Sequence, residues 1–80
     1  MPRRATKDPD AKKFGAIIRR LREQRGWTQD QMAERVGMNG SYLGFVERGE
    51  NVPTLTVILL LAETLEVDAG DLVREVARKR

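Results

Sequence analysis

Residues 39–45 carry the side chains that are best placed to bind a partner molecule. The preceding segment, QDQMAERVGMN, has apolar residues at helical spacing, and its Gly37 can adopt the positive φ of a tight turn. In the helix that follows, Leu43 and Val46 would face the core, so the opposite side of that helix is left free. The free side carries Asn39, Gly40, Ser41, Gly44 and Phe45.

The residue types that most often perform catalysis are missing from this 80-residue chain. It contains no cysteine and no histidine, which removes disulfides, thiolate metal sites and the usual general base together. It also lacks a phosphate-binding glycine loop and an HExxH-type zinc motif. We therefore predict that the protein is not an enzyme, and that it uses no metal and no cofactor.

Five short helices are predicted to position the free face. They span about residues 10–25, 28–36, 39–48, 55–65 and 69–79, with Asp10, Thr28, Thr54 and Asp68 among the expected N-caps. Residues 1–9 hold two prolines and three basic residues with almost nothing to bury. We expect them to form a flexible basic arm in front of a single domain over residues 10–80.

The overall composition is compatible with several kinds of partner. Fifteen basic and twelve acidic residues give a net charge of +3, which suits nucleic acid but does not by itself indicate it. The apolar run over residues 57–62 is far shorter than the roughly 20 residues of a membrane span. The N-terminus lacks the apolar segment of a signal peptide. We expect a soluble cytoplasmic protein with no membrane partner and no small-molecule ligand.

The sequence resembles the helix-turn-helix proteins of the phage repressor and Cro type, also called the XRE family. The resemblance extends from about Phe14 to Leu72 through the segments IRRLREQRGWTQDQMAERVG, SYLGFVERGENVPTL and LLAETLEVDAGDL. It implies a compact all-α domain of five helices, in which helices 2 and 3 form the helix-turn-helix. In such domains the second helix of the motif enters the DNA major groove and the first lies across the backbone.

The same resemblance implies which residues contact DNA. The base-reading positions are Asn39, Gly40, Ser41 and Phe45, where well-known members carry glutamine or other long polar side chains. Asparagine can pair with adenine, and phenylalanine can pack on thymine methyl groups, whereas a glycine has no side chain to read with. Phe45 could instead fold back onto the surface or contact a protein. With so few base-edge donors, we expect DNA shape to contribute to specificity.

Phosphate contacts are implied for residues around the two helices of the motif. They are Thr28, Gln29, Tyr42, Arg48, Asn51 and Arg22, with Arg3, Arg4 and Lys7 of the arm as further candidates. In this family the residues matching Arg22 and Glu47 commonly form a partly buried salt bridge. The alternative is that both are solvated charges.

The fourth helix, LTVILLLAETL, is apolar on nearly every side, which predicts a surface buried by another element or another copy. The residues that we expect it to contribute to the core are Leu55, Ile58, Leu59, Ala62 and Leu65. A two-fold dimer interface would then include Val57, Leu60, Leu61, Leu72, Val73 and Val76. Alternatively, the fifth helix covers this face within one protomer.

Together these features predict a sequence-specific transcriptional regulator that binds double-stranded DNA as a homodimer on a palindromic operator. A phage-type repressor, a restriction–modification controller and an autoregulating antitoxin all fit the pattern. The alternative function is a protein-interaction module of the same fold, which would bind a partner such as a toxin through Phe45 and the fourth helix.

Overall fold

The computed structural model describes residues 8–78 and 80, and within them the chain forms five α-helices and no strand. The helices are α1 (Pro9–Gln24), α2 (Gln29–Val36), α3 (Gly40–Glu47), α4 (Leu55–Leu65) and α5 (Ala69–Arg78). The predicted all-α, five-helix fold class is confirmed.

The first helix begins earlier than predicted. Asp8, not Asp10, is its N-cap, because Asp8 Oδ1 accepts from the backbone N–H of Asp10 at 2.8 Å and of Ala11 at 3.2 Å. Pro9 favours this start, since its ring fixes φ near the helical value at the first helical position. Residues 8 and 9 are therefore part of this helix and its cap. The rest of the predicted arm, residues 1–7, lies outside the described residues.

The core is built around α1, which packs against α3, α4 and α5, while α2 packs against α3 and α4. Gly15 lies at the crossing of α1 and α3, where a Cβ would collide with the backbone carbonyl groups of Val46 and Glu47. A larger residue at this position would push α3 away from α1. The core cluster contains Phe14, Ile17, Ile18, Met32, Ala33, Leu43, Val46, Leu61, Ala62, Leu65 and Leu72.

The orientation of α4 differs from the prediction. Leu55 and Leu59, expected in the core, are 71% and 50% exposed, whereas Leu61, expected at a dimer interface, is completely buried. Leu72, a second predicted interface residue, is also buried. A helix that is apolar all round carries no periodic signal to fix its rotation, so its contacts with α2 and α5 decide it. The assignment of Leu61 and Leu72 to a dimer interface was therefore wrong.

The other residues of the predicted interface remain partly accessible. Val57 and Val76 are half-buried against the core, and Leu60 and Val73 are exposed. We refer to Leu55, Leu59, Leu60 and Val73 as the α4–α5 surface. The fifth helix thus covers part of α4 within the protomer but leaves this apolar surface in contact with solvent.

Candidate nucleic-acid interface

A short turn joins α2 to α3. Gly37 has φ 91°, and the backbone N–H groups of Gly37 and Met38 donate to the carbonyl of Ala33 at 2.8 and 2.9 Å, which closes α2. Only glycine adopts this backbone conformation without a steric penalty. Three residues therefore suffice to turn the chain from α2 into α3, as the spacing of the apolar residues predicts.

The N-terminus of α2 has the predicted capping box. Thr28 Oγ1 accepts from Gln31 N–H at 3.1 Å, and Gln31 Oε1 accepts from Thr28 N–H at 2.8 Å. As at any helix N-terminus, the remaining backbone N–H groups of the first turn have no partner within the helix. An anion can bind these groups favourably.

The two sides of α3 differ sharply in burial. Leu43 and Val46 are completely buried, whereas Ser41 is exposed and the Phe45 ring is 44% exposed. On the outward side, α2 and α3 enclose an open hollow of about 340 Å³, which is lined by residues that include Gln29, Asp30, Gly44, Phe45 and Arg48. The side of α3 that the sequence left free is therefore a concave surface shared by both helices.

Asn39, predicted to read bases, is the N-cap of α3. Its Oδ1 accepts from the backbone N–H of Tyr42 at 2.7 Å. A bidentate contact with adenine uses both the oxygen and the nitrogen of the amide. The cap takes one of the two lone pairs of Oδ1 and fixes the orientation of the amide, so the second lone pair and the amide nitrogen are left for a base edge.

The side chain of Asp30 fills the space beside Gly40, and the sequence analysis did not identify Asp30 as part of the site. The Asp30 carboxylate of α2 lies where the Cβ of any other residue at position 40 would project. Glycine at this position therefore lets Asp30 approach the start of α3. A possible signal in the sequence was the acidic residue in the first turn of α2, where carboxylates are common.

Arg22 and Glu47 form the buried ion pair that the resemblance implied. Arg22 Nε donates to Glu47 Oε2 at 2.6 Å and Nη2 to Oε1 at 3.1 Å, while Nη1 donates to the Trp27 carbonyl at 2.8 Å. Hydrogen bonding to Glu47 raises the pKa of Arg22. These bonds direct the guanidinium into the protein, so the structure does not support the predicted contact of Arg22 with a phosphate.

Gln29 joins the same network from the start of α2. Its Nε2 donates to Glu47 Oε1 at 2.9 Å, so the carboxylate at the end of α3 fixes the position of the amide. Nε2 has a second hydrogen that this bond does not use. The structure therefore holds Gln29 in place and still leaves it a donor at the rim of the hollow.

The remaining predicted phosphate residues lie at the end of α3 and in the loop after it. Tyr42 Oη donates to Asn51 Oδ1 at 3.2 Å, which ties α3 to the loop. Arg48 Nε lies 3.2 Å from Glu50 Oε2, and its guanidinium carbon is 5.3 Å from the centre of the Phe45 ring. Carboxylates of Asp30 and Glu50 thus accompany the one arginine that lines the hollow, and this part of the surface is not strongly basic.

The short turn, the capped α2 and the outward side of α3 define a DNA-binding helix-turn-helix domain. The chain belongs to the helix-turn-helix family, because the model of a helix-turn-helix domain matches residues 13–76. This confirms the resemblance to the phage repressor and Cro (XRE) type. Within residues 8–78 and 80, no helix has the length and apolar character needed to cross a bilayer.

Similar proteins support this assignment. YazB of Bacillus subtilis, an uncharacterized helix-turn-helix-type transcriptional regulator, is 35% identical over 63 residues, which cover 79% of this chain and 91% of that protein. The ImmF control region 10 kDa protein of Bacillus phage phi105 is 32% identical over 59 residues, covering 74% and 66%. The restriction–modification controller protein C.AhdI from Aeromonas hydrophila superposes with a TM-score of 0.75 at 40% identity, covering 79% and 91%. These relatives are regulators or control proteins rather than enzymes.

Proposed function

We propose that the protein is a sequence-specific transcriptional regulator that binds a palindromic operator as a homodimer, with α3 in the major groove. The observation that carries this proposal is the contrast between the two sides of α3. Leu43 and Val46 anchor one side in the core, and Ser41 and Phe45 are exposed on the other. A helix held in this way can enter a groove about 12 Å wide without disturbing its own packing.

Base reading is assigned to the start and middle of α3. The Ser41 hydroxyl can donate to or accept from base edges, and the exposed Phe45 ring can pack on thymine methyl groups. Asn39 contributes its amide nitrogen and the second lone pair of its capping oxygen. Gly40 contributes no side-chain contact, since the Asp30 carboxylate takes the space beside it. Shape-dependent recognition therefore accompanies a small number of direct contacts.

Phosphate contacts are assigned to the N-terminus of α2 and to the end of α3. Gln29 is held by Glu47 with one N–H to spare, and Thr28 lies beside the unpaired backbone N–H groups of the same turn. Tyr42 and Asn51, which are bonded to each other, place two more polar groups beyond α3. Residues 1–7, with Arg3, Arg4 and Lys7, would add contacts from the basic arm.

We assign dimerisation to the α4–α5 surface, together with the half-buried Val57 and Val76. Four large apolar side chains on two adjacent helices are exposed there. Leu55 and Leu59 lie one turn apart on α4, and exposed apolar side chains on adjacent helices are typical components of an interaction surface. Two copies joined through this surface would present two α3 helices to successive major grooves of a palindromic site.

The biological role is best matched by small regulators that act on their own operons. The likeness to a restriction–modification controller and to a phage control protein supports a controller or a phage-type repressor. An autoregulating antitoxin is a third role that the same fold could serve. Such a protein would act in the cytoplasm, where bacterial DNA lies. It would respond to its own concentration through dimerisation.

Binding measurements on a selected site test this proposal. Duplexes are selected from a random pool, and fluorescence anisotropy then compares the selected and random duplexes at 50 and 200 mM salt. We expect the selected duplex to bind at least about 10³-fold more tightly, with both affinities falling as salt rises. Phe45→Ala should reduce the preference by about 5- to 150-fold, whereas the surface variant Gln24→Ala should behave as the parent.

A protein-interaction module is the second candidate, because Phe45 and the α4–α5 surface expose large apolar groups. Under this alternative the anisotropy experiment would give equal, weak binding to selected and random duplexes. The same result would refute the regulator.

A further inference from the structure

The side chain of Arg48 lies on the outward side of α3, the side that carries Phe45, rather than beyond the end of the helix. Its Nη1 is 3.1 Å from the point that a Cβ on Gly44 would occupy, one helical turn earlier in the chain. Arg48 also lines the hollow between α2 and α3 together with Phe45 and Gly44. The absence of a side chain at Gly44 gives the guanidinium room to lie back along the helix.

Two neighbours hold the guanidinium in this position. The Phe45 ring lies beneath it, with 5.3 Å between the guanidinium carbon and the ring centre. Glu50 Oε2 is 3.2 Å from Nε, on one edge of the guanidinium. Neither terminal nitrogen of Arg48 has a hydrogen-bond partner among residues 8–78 and 80. The two terminal nitrogens of the guanidinium, Nη1 and Nη2, are therefore free to donate two parallel hydrogen bonds.

The chemistry of these groups favours a base over a phosphate. An arginine fork matches the N7 and O6 acceptors of guanine in the major groove, and this pair is the commonest specific contact between proteins and DNA. The two guanine acceptors carry only partial negative charge, so the nearby Glu50 carboxylate repels them less than it would repel a phosphate. The same carboxylate would repel a phosphate brought to the guanidinium.

We propose that Arg48 reads a guanine in the major groove through Nη1 and Nη2, and that Phe45 is a positioning residue that holds it there. Phe45 also packs against the methyl group of a thymine next to that guanine. This assigns Arg48 to base reading, whereas the sequence predicted a phosphate contact. The inference rests on the proposed DNA-binding function and names the base that this part of the site recognises.

The test uses the full chain and a duplex selected by the parent protein. Each guanine of the duplex is replaced in turn by 7-deazaguanine, which removes the N7 acceptor, and affinities are measured by fluorescence anisotropy. For the parent we expect one guanine in each half-site whose replacement weakens binding by about 5- to 150-fold. Arg48→Met keeps an unbranched side chain but removes every donor, so its binding should be insensitive to that replacement.

A second variant examines the positioning role. Phe45→Leu keeps an apolar side chain but removes the ring, so we expect it to weaken discrimination at the same guanine and at the neighbouring thymine. Arg48→Met that retains the parent's sensitivity to 7-deazaguanine would overturn this inference and leave the regulator intact. A parent protein that enriches no site from the random pool would overturn the proposed function, and this inference with it.

Discussion

Replacement of Glu47 by alanine should destabilise the fold more than any change to an exposed charge. The Glu47 side chain is 2% exposed and accepts three hydrogen bonds, two from Arg22 and one from Gln29. Removal of the carboxylate would leave the buried Arg22 guanidinium with one hydrogen bond, to the Trp27 carbonyl, and with the more exposed Glu23 carboxylate 4.0 Å from Nη2. It would also release the amide of Gln29 at the start of α2.

The expected loss is about 3–5 kcal/mol, because one partner of a buried ion pair is removed and the other stays buried. A domain of this size has a total free energy of unfolding of about 4–12 kcal/mol. Each kcal/mol corresponds to about 4–8 °C in the melting temperature of a small domain. We therefore expect the midpoint of Glu47→Ala to fall by at least about 12 °C.

Urea unfolding followed by circular dichroism at 222 nm, with thermal melts, measures this loss. Asp71→Ala is the matched control, since Asp71 pairs with Arg74 on the surface, where both side chains are more than half exposed. Exposed pairs of this kind contribute about 0–1 kcal/mol. The double variant Arg22→Met with Glu47→Leu should recover much of the lost stability, because no unpaired charge remains buried. If the free energies of unfolding of Glu47→Ala and Asp71→Ala lie within about 1 kcal/mol of each other, the ion pair does not have the assigned structural role.

Three further predictions concern the surface of the domain. Leu59→Glu places a charge in the α4–α5 surface and should shift the sedimentation mass from twice 9.1 kDa to 9.1 kDa, whereas a parent that is already monomeric would refute the interface. Removal of residues 1–7 should reduce the slope of log affinity against log salt by about 0.9 for each phosphate that the arm neutralises, and an unchanged slope would show that the arm does not touch DNA. Arg80 donates to Asp10 at 2.7 Å, and this hydrogen bond lowers the pKa of the Asp10 carboxyl. The resulting stabilisation is present above the ordinary pKa and is lost as the pH falls through the folded-state value, so an NMR titration of Arg80→Ala should show the Asp10 pKa rising.

Local signals in the sequence predicted most of the helix boundaries. The capping box of Thr28 and Gln31 and the positive φ of Gly37 depend on a few neighbouring residues, and both are present in the structure. Thr54 likewise caps α4 by accepting from Val57 N–H at 3.2 Å. The first N-cap was harder to predict, because aspartate suits that position at both 8 and 10 and only the placement of Pro9 separates the two.

Features that depend on tertiary contacts could not be predicted from the sequence. The predicted rotation of α4 was wrong, since apolar residues cover most of the helix and only Thr56, Glu63 and Thr64 mark a polar side. The direction of the Arg48 side chain depends on the space above Gly44 and on the Phe45 ring. The cap formed by Asn39 uses one of the four hydrogen bonds that its side chain can make and fixes the orientation of the amide.

The central claim is that the outward side of α3 meets DNA, and an NMR titration tests it most directly. A selected duplex is added to uniformly ¹⁵N-labelled protein, and backbone amide shifts are followed at constant salt. We predict that the largest changes fall at Gln29, Gly40, Ser41 and Phe45. Changes concentrated on the exposed side of α1, with the amides of α3 unaffected, would contradict the claim.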